Sequence, residues 1–99
     1  MDKIEILGAM ILEEDLIGEI SGILNDEDFS EGFERSLFRG IIDLKSNEIP
    51  VDLINLTEHF NGDRDLIQRL CNLCANAPAG QYDAVLNSAY RIKYRNRCN

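Results

Sequence analysis

Apolar positions along this chain recur at spacings of three and four, and strand-like alternation is nearly absent. That period predicts helices from end to end. Ile4, Leu7 and Ile11 mark a first helix, whose apolar face is widened by Ile6 and Met10. The acidic break EED leads to a second helix carrying Leu16, Ile17, Ile20, Ile23 and Leu24. NDEDFSEGF then reads as a turn rich in capping residues, where either Asp28 or Ser30 is placed to start a third helix. The third helix has the clearest stripe: Phe33, Leu37, Phe38, Ile41, Ile42 and Leu44 on one side, Arg35, Arg39 and Asp43 directed away.

KSNEIP reads as a loop, and IPVDLINLTEHF as the start of a fourth helix. Pro50 biases Ile49 toward extended backbone, so the preceding helix should stop before it. Asp52 is an N-cap whose charge suits a helix N-terminus. Val51 and Leu56 are spaced for a hydrophobic staple, and Leu53, Leu56, Thr57 and Phe60 share one face. NGD ends this helix. Asp63 or Asp65 opens a fifth, with Leu66, Ile67, Leu70, Leu73 and Cys74 inward. After the break NAPAG, a sixth helix runs from about Tyr82 with Val85, Leu86, Ala89 and Tyr90 along it. The expected fold is all-α, a compact bundle of about six short helices in a single domain spanning 1–99, with no internal repeat or linker.

Composition sharpens this picture. A 44% hydrophobic content is ample for a folded core, so general disorder is not expected. No apolar run approaches the roughly 20 residues that span a bilayer. MDKIEI lacks the features of a signal peptide, so a cytoplasmic setting is expected. Three cysteines, an odd number in such a chain, point to reduced thiols. The formal charge of −8 disfavours the domain as a nucleic-acid binder, yet the charge is uneven. Seventeen of the eighteen acids lie at or before Asp65, whereas Arg91, Lys93, Arg95 and Arg97 crowd the end of the chain.

Candidate chemistry is sparse. Cys71-x-x-Cys74 lacks the further ligands of a zinc site and the βαβ setting of a redox motif. Beside Leu70 and Leu73, both thiols read as core packing. His59 is the only histidine and falls on the polar side of its helix. The runs Glu13-Glu14-Asp15 and Asp26-Glu27-Asp28 read as solvated helix ends, and no phosphate-cradling loop is present. Gly18-x-x-x-Gly22 suggests close packing of the second helix. The basic tail with Tyr90 and Tyr94 suggests nucleic-acid contact, but favourable charge near a helix C-terminus is the preferred reading. No catalytic, cofactor or metal residue is expected. Phe38, Val51, Asp52, Leu56, Cys71 and Cys74 are read as structural.

Taken in order, four stretches resemble the N-terminal domain of DnaB-type replicative DNA helicases. IEILGAMIL is similar to the family's E-x-x-x-LG-x-x-L helix through Glu5, Leu7, Gly8 and Ile11 or Leu12. DEDFSEGFERSLFRGIIDL resembles its D-F-Y-x-x-x-H-R-x-I-F-x-x-I-x-x-L segment, with Ser30 and Glu34 where tyrosine and histidine are usual. IPVDLINLTEHF resembles P-V-D-L-x-T-L-x-E-x-L, and LCNLCANAPAGQYDAVLNSAYRIK resembles the L-x-x-L-x-x-x-x-P-S-x-x-N segment and the helix after it. GDRDLIQRL is a shortened counterpart of the family's G-G-x-x-Y-L segment, and the asparagine usual beyond Pro78 is lacking.

The resemblance implies a globular head over 1–78 and, over 79–99, the start of an incomplete dimerisation hairpin. It further implies a non-catalytic interaction domain of a replicative helicase, taking part in ring-collar assembly and in contacts with primase or helicase loaders. ATP hydrolysis would belong to a motor domain outside these residues. Val85, Leu86, Ala89, Tyr90 and Arg91 are the candidate contact residues for a partner helix or a weakly associating second copy. Two alternatives stand beside this reading: a free-standing mimic that binds and modulates a helicase or primase, and the helicase-binding C-terminal domain of a primase. PVDLINLTE favours the helicase side.

Overall fold

The structure, a computed structural model, describes residues 3–30, 32–77 and 80–97. Six α-helices account for most of it: α1 (Lys3–Leu12), α2 (Asp15–Ser21), α3 (Phe33–Ser46), α4 (Leu53–His59), α5 (Arg64–Asn76) and α6 (Tyr82–Arg97). A single 3-10 turn, Asp26–Asp28, sits between α2 and α3. There is no strand among the described residues, as the helical period predicts. The Cα radius of gyration is 12.6 Å, close to the ~13 Å of a compact domain of this length.

The bundle is organised around α1. Six consecutive residues, Ile6 to Ile11, are buried, and the helix packs against α2, α3, α5 and α6. A helix apolar all round belongs at the centre of a fold, away from water. Gly8 lets α5 come close: a Cβ at that position would lie 2.8 Å from Ala77 Cβ and 3.1 Å from the Leu73 carbonyl oxygen. The Gly18–Gly22 spacing has no such role, contrary to the expectation of close packing. A Cβ on Gly18 would meet nothing within 4 Å, and one on Gly22 would meet only carbonyls of its own helix.

Local signals account for most helix ends. Asp52 caps α4, its carboxylate accepting from the Asn55 N–H at 2.8 Å. Val51 and Leu56 are buried, as a staple requires. Asp63, rather than Asp65, caps α5, accepting from the N–H groups of Asp65 and Leu66. At the end of α3 the Ile49 N–H donates back to the Leu44 carbonyl at 2.9 Å and the Glu48 N–H to that of Lys45 at 3.1 Å. Glu48 takes a φ of 61° to make that reversal.

Three expectations are corrected. Neither Asp28 nor Ser30 caps α3; Gly32 occupies the position, with no side-chain bond to the helix. Arg35 does not point away from the bundle, because its guanidinium donates to the carbonyls of Asp26 and Phe29, both at 3.1 Å, and so pins the 3-10 turn. Leu53, on the same face as Leu56, stays 37% exposed, since Leu56 alone among the residues of α4 is buried. Phe38 does reach it, stacked on Phe29 at 4.7 Å between ring centroids.

A candidate interaction face on the last helix

The sixth helix has two unlike sides. Val85, Ser88, Ala89 and Ile92 are buried and belong to the same core as α1 and α2. The segment expected to begin a hairpin is thus seated, over most of its length, in the head itself. Pro78, the expected junction, lies outside the described residues, as does Cys98. Just before α6, the Gly80 N–H donates to Glu13 Oε1 at 3.0 Å, tying the approach of the helix to the α1–α2 turn.

A second tether holds the other end. Asp28 is one of two buried polar residues among those described, with 7% of its side chain exposed. Its carboxylate accepts from the Asn25 N–H at 2.9 Å, Lys93 Nζ at 2.9 Å and Asn96 Nδ2 at 2.8 Å. Burial by itself would raise the carboxyl's pKa. The three donors outweigh it and hold the group below the ordinary carboxylate value. Asn25 completes the arrangement by accepting from the Glu27 N–H, a reciprocal cap on the 3-10 turn. The acidic run DED, read as a solvated helix end, therefore contains a buried anchor. A spacing of Asn25 and Asp28 like that of a capping box was its one local signal.

The opposite side of α6 is open. Tyr90 is 61% and Tyr94 73% exposed, and Arg91, Arg95 and Arg97 are exposed beside them. The ion pairs formed among the described residues, such as Arg39–Asp26 and Lys93–Asp28, involve none of these three arginines. The expected contact strip is accordingly split. Val85 and Ala89 are fully buried and Leu86 is half-buried, so they hold α6 in place, while Tyr90 and Arg91 are exposed.

Elsewhere the surface offers little chemistry. Cys71 is exposed, which corrects its assignment to the core; only Cys74, one turn on, is half-buried. Burial, with some contribution from Cys71, pushes the Cys74 thiol pKa up. His59 lies at the surface, edge-on to Phe60 and 3.7 Å from Asp43. An open groove between the end of α2 and α3 is lined by Leu24, Phe38 and Ile42, with Arg39, Asp26 and Asp43 around it. Among the described residues no group of three or more His, Cys, Asp or Glu side chains could hold a metal ion, and no helix is long and apolar enough to cross a membrane.

Comparison with known proteins agrees with this architecture. No curated protein and no solved structure matches the chain. A family model does match, that of the DnaB-like helicase N-terminal domain, over residues 4–88. The match runs from the first turn of α1 into the middle of α6, and so takes in the central helix, the capped α4 and, of the buried side of α6, Val85 and Ser88. The chain belongs to the DnaB-like helicase N-terminal domain family.

Proposed function

We propose that this domain is a non-catalytic interaction module of a replicative DNA helicase, contributing to assembly of the ring collar and to contacts with primase or a helicase loader. The family match over residues 4–88 carries the reading. The surface is compatible with it: among the described residues, the open side of α6 combines exposed aromatic rings with arginines that take no part in the ion pairs. Tyrosine and arginine are the side chains that protein interfaces favour, whereas exposed lysine and glutamate are depleted there. The reading assigns the domain no chemistry of its own.

The test uses the replicative helicase and the primase encoded in the same genome. Sedimentation velocity of the chain mixed with each should show a complex with at least one of them. Absence of association with either protein, at concentrations up to about 100 μM, where even weak interfaces register, would refute the proposal.

A further inference from the structure

We propose that the face of α6 formed by Tyr90, Arg91, Tyr94 and Arg95 receives an acidic helical segment of a partner protein, its carboxylates on the arginines and an aliphatic side chain across the tyrosine rings. This deepens the functional reading above, and rests on it, by naming the face and the chemistry of what docks there.

Charge is the first argument. The chain carries a formal −8, but α6 has a single acid, Asp83, in its first turn. Lys93, the lysine of that helix, is turned inward to Asp28. The open face is left with guanidinium groups and no ammonium. A guanidinium presents a planar fork that matches a carboxylate with two parallel hydrogen bonds, and it is more weakly hydrated than an ammonium, so it loses less on docking.

Spacing is the second argument. Tyr90 and Tyr94, like Arg91 and Arg95, are four residues apart, so each pair rises about 6 Å along the helix. Seen down the axis the tyrosines lie near the crest of the exposed side, with Arg91 and Arg95 along one flank. A partner helix with carboxylates four residues apart repeats that rise and can engage both arginines at once. Its intervening aliphatic side chain then covers the two rings, which are otherwise 61% and 73% exposed.

Two other occupants fit less well. A nucleic acid would gain two phosphate contacts here, and would bring its remaining charge within a Debye length, about 8 Å at physiological salt, of a strongly acidic body. A second copy docked symmetrically through α6 would set arginine against arginine. It could not use Val85 or Ala89 as an apolar seam, because both are fully buried.

The experiment measures fluorescence anisotropy of labelled probes against the whole chain. One probe is a helical peptide of about four turns with Glu pairs at i and i+4 flanking Leu. The second is the same peptide with Gln for Glu, and the third is a single-stranded oligothymidylate. The Glu peptide should bind saturably and weaken as salt rises. The double variant Arg91→Gln/Arg95→Gln should lower its affinity about tenfold or more, and Tyr90→Ala/Tyr94→Ala should weaken it as well. Both variants should melt like the parent, since all four side chains are exposed. Failure of the Glu peptide to bind, equal binding of the Gln peptide, or preference for the oligonucleotide would overturn the inference. So would a change in self-association of the chain caused by the arginine variant, which would place a second copy on this face. Binding to the helicase or primase that survives Arg91→Gln/Arg95→Gln would remove this face while leaving the interaction-domain reading intact.

Discussion

Replacing glycine by alanine at two positions of this fold should move stability in opposite directions. Both Gly8 and Gly18 lie inside helices, where alanine is favoured over glycine by about 1 kcal/mol through backbone entropy. At Gly18 that gain is unopposed, because a new methyl group would meet nothing within 4 Å. Gly18→Ala should therefore stabilise the domain by about 0.5–1 kcal/mol. At Gly8 the same methyl would stand 2.8 Å from Ala77 Cβ, 2.9 Å from Leu73 Cδ2 and 3.1 Å from the Leu73 carbonyl oxygen. The carbonyl is backbone and Leu73 is a core residue only 9% exposed, so relief requires the last turns of α5 to move off α1.

Overpacking of this kind costs about 1–3 kcal/mol. Set against the propensity gain, Gly8→Ala should be less stable than the parent by up to about 2 kcal/mol. For a domain of this size each kcal/mol shifts the melting temperature by about 4–8 °C, so the two variants should separate clearly. Urea and thermal unfolding, followed by the helical circular-dichroism signal, give both numbers. A Gly8→Ala protein as stable as Gly18→Ala would show that α1 and α5 do not approach each other as closely as described.

Four further outcomes can be measured on the same material. Asp28→Ala should cost about 2–3 kcal/mol, less than the about 3–5 kcal/mol of a fully buried pair, because Lys93 keeps 30% of its side chain exposed and can regain water. The folded-state pKa of Asp28 is depressed, so its contribution is complete above the ordinary value of 3.8 and is lost as pH falls through the lower folded value. Acid unfolding in that window should be shallower for Asp28→Asn than for the parent, and identical slopes would contradict the buried anchor. Asp52→Ala should lose about 0.5–2 kcal/mol with the α4 cap, and an unchanged denaturation midpoint would place the start of that helix elsewhere. Native thiol labelling followed by mass spectrometry should modify Cys71 before Cys74, whose thiol is half-buried and harder to ionise; equal rates would place both on one surface.

Helix number and order were legible because the apolar period is carried by large residues, Leu7, Leu37, Ile41 and Leu70 among them, all of them fully buried. The caps at Asp52 and Asp63 were legible because capping acts within one turn of chain. Cys71 shows where such reasoning ends. A small apolar side chain next to Leu70 on a helix is turned by 100° from it, and nothing in the local pattern says that the core stops between them. The surroundings of Glu13, Arg35 and Asp28 depended on where the chain folded back, through Gly80, the 3-10 carbonyls and Lys93 respectively.

The same limit explains the last helix, where the candidate surface lies. Val85, Leu86, Ala89 and Tyr90 form a strip with helical spacing, but so do Val85, Ser88, Ala89 and Ile92, and a helix cannot present both strips to one core. The second strip is the buried one. Ser88 is small enough to permit close approach, and Tyr90 keeps its hydroxyl in water, where it needs no buried partner. The choice is reinforced far from α6 in sequence, by the Asp28 carboxylate that accepts from Lys93 and Asn96. These contacts act on the rotation of the helix about its own axis in the same sense as the buried strip. That rotation brings Ile92 under cover and turns Tyr90, Tyr94 and the arginines out together. A variant that loosens Asp28 should accordingly weaken docking on α6 even though Asp28 touches Lys93 and Asn96 and none of the four docking residues. Asp28→Asn, assayed with the Glu peptide at a temperature where it remains folded, should bind more weakly than the parent; unaltered binding would show that the helix keeps its rotation without the anchor.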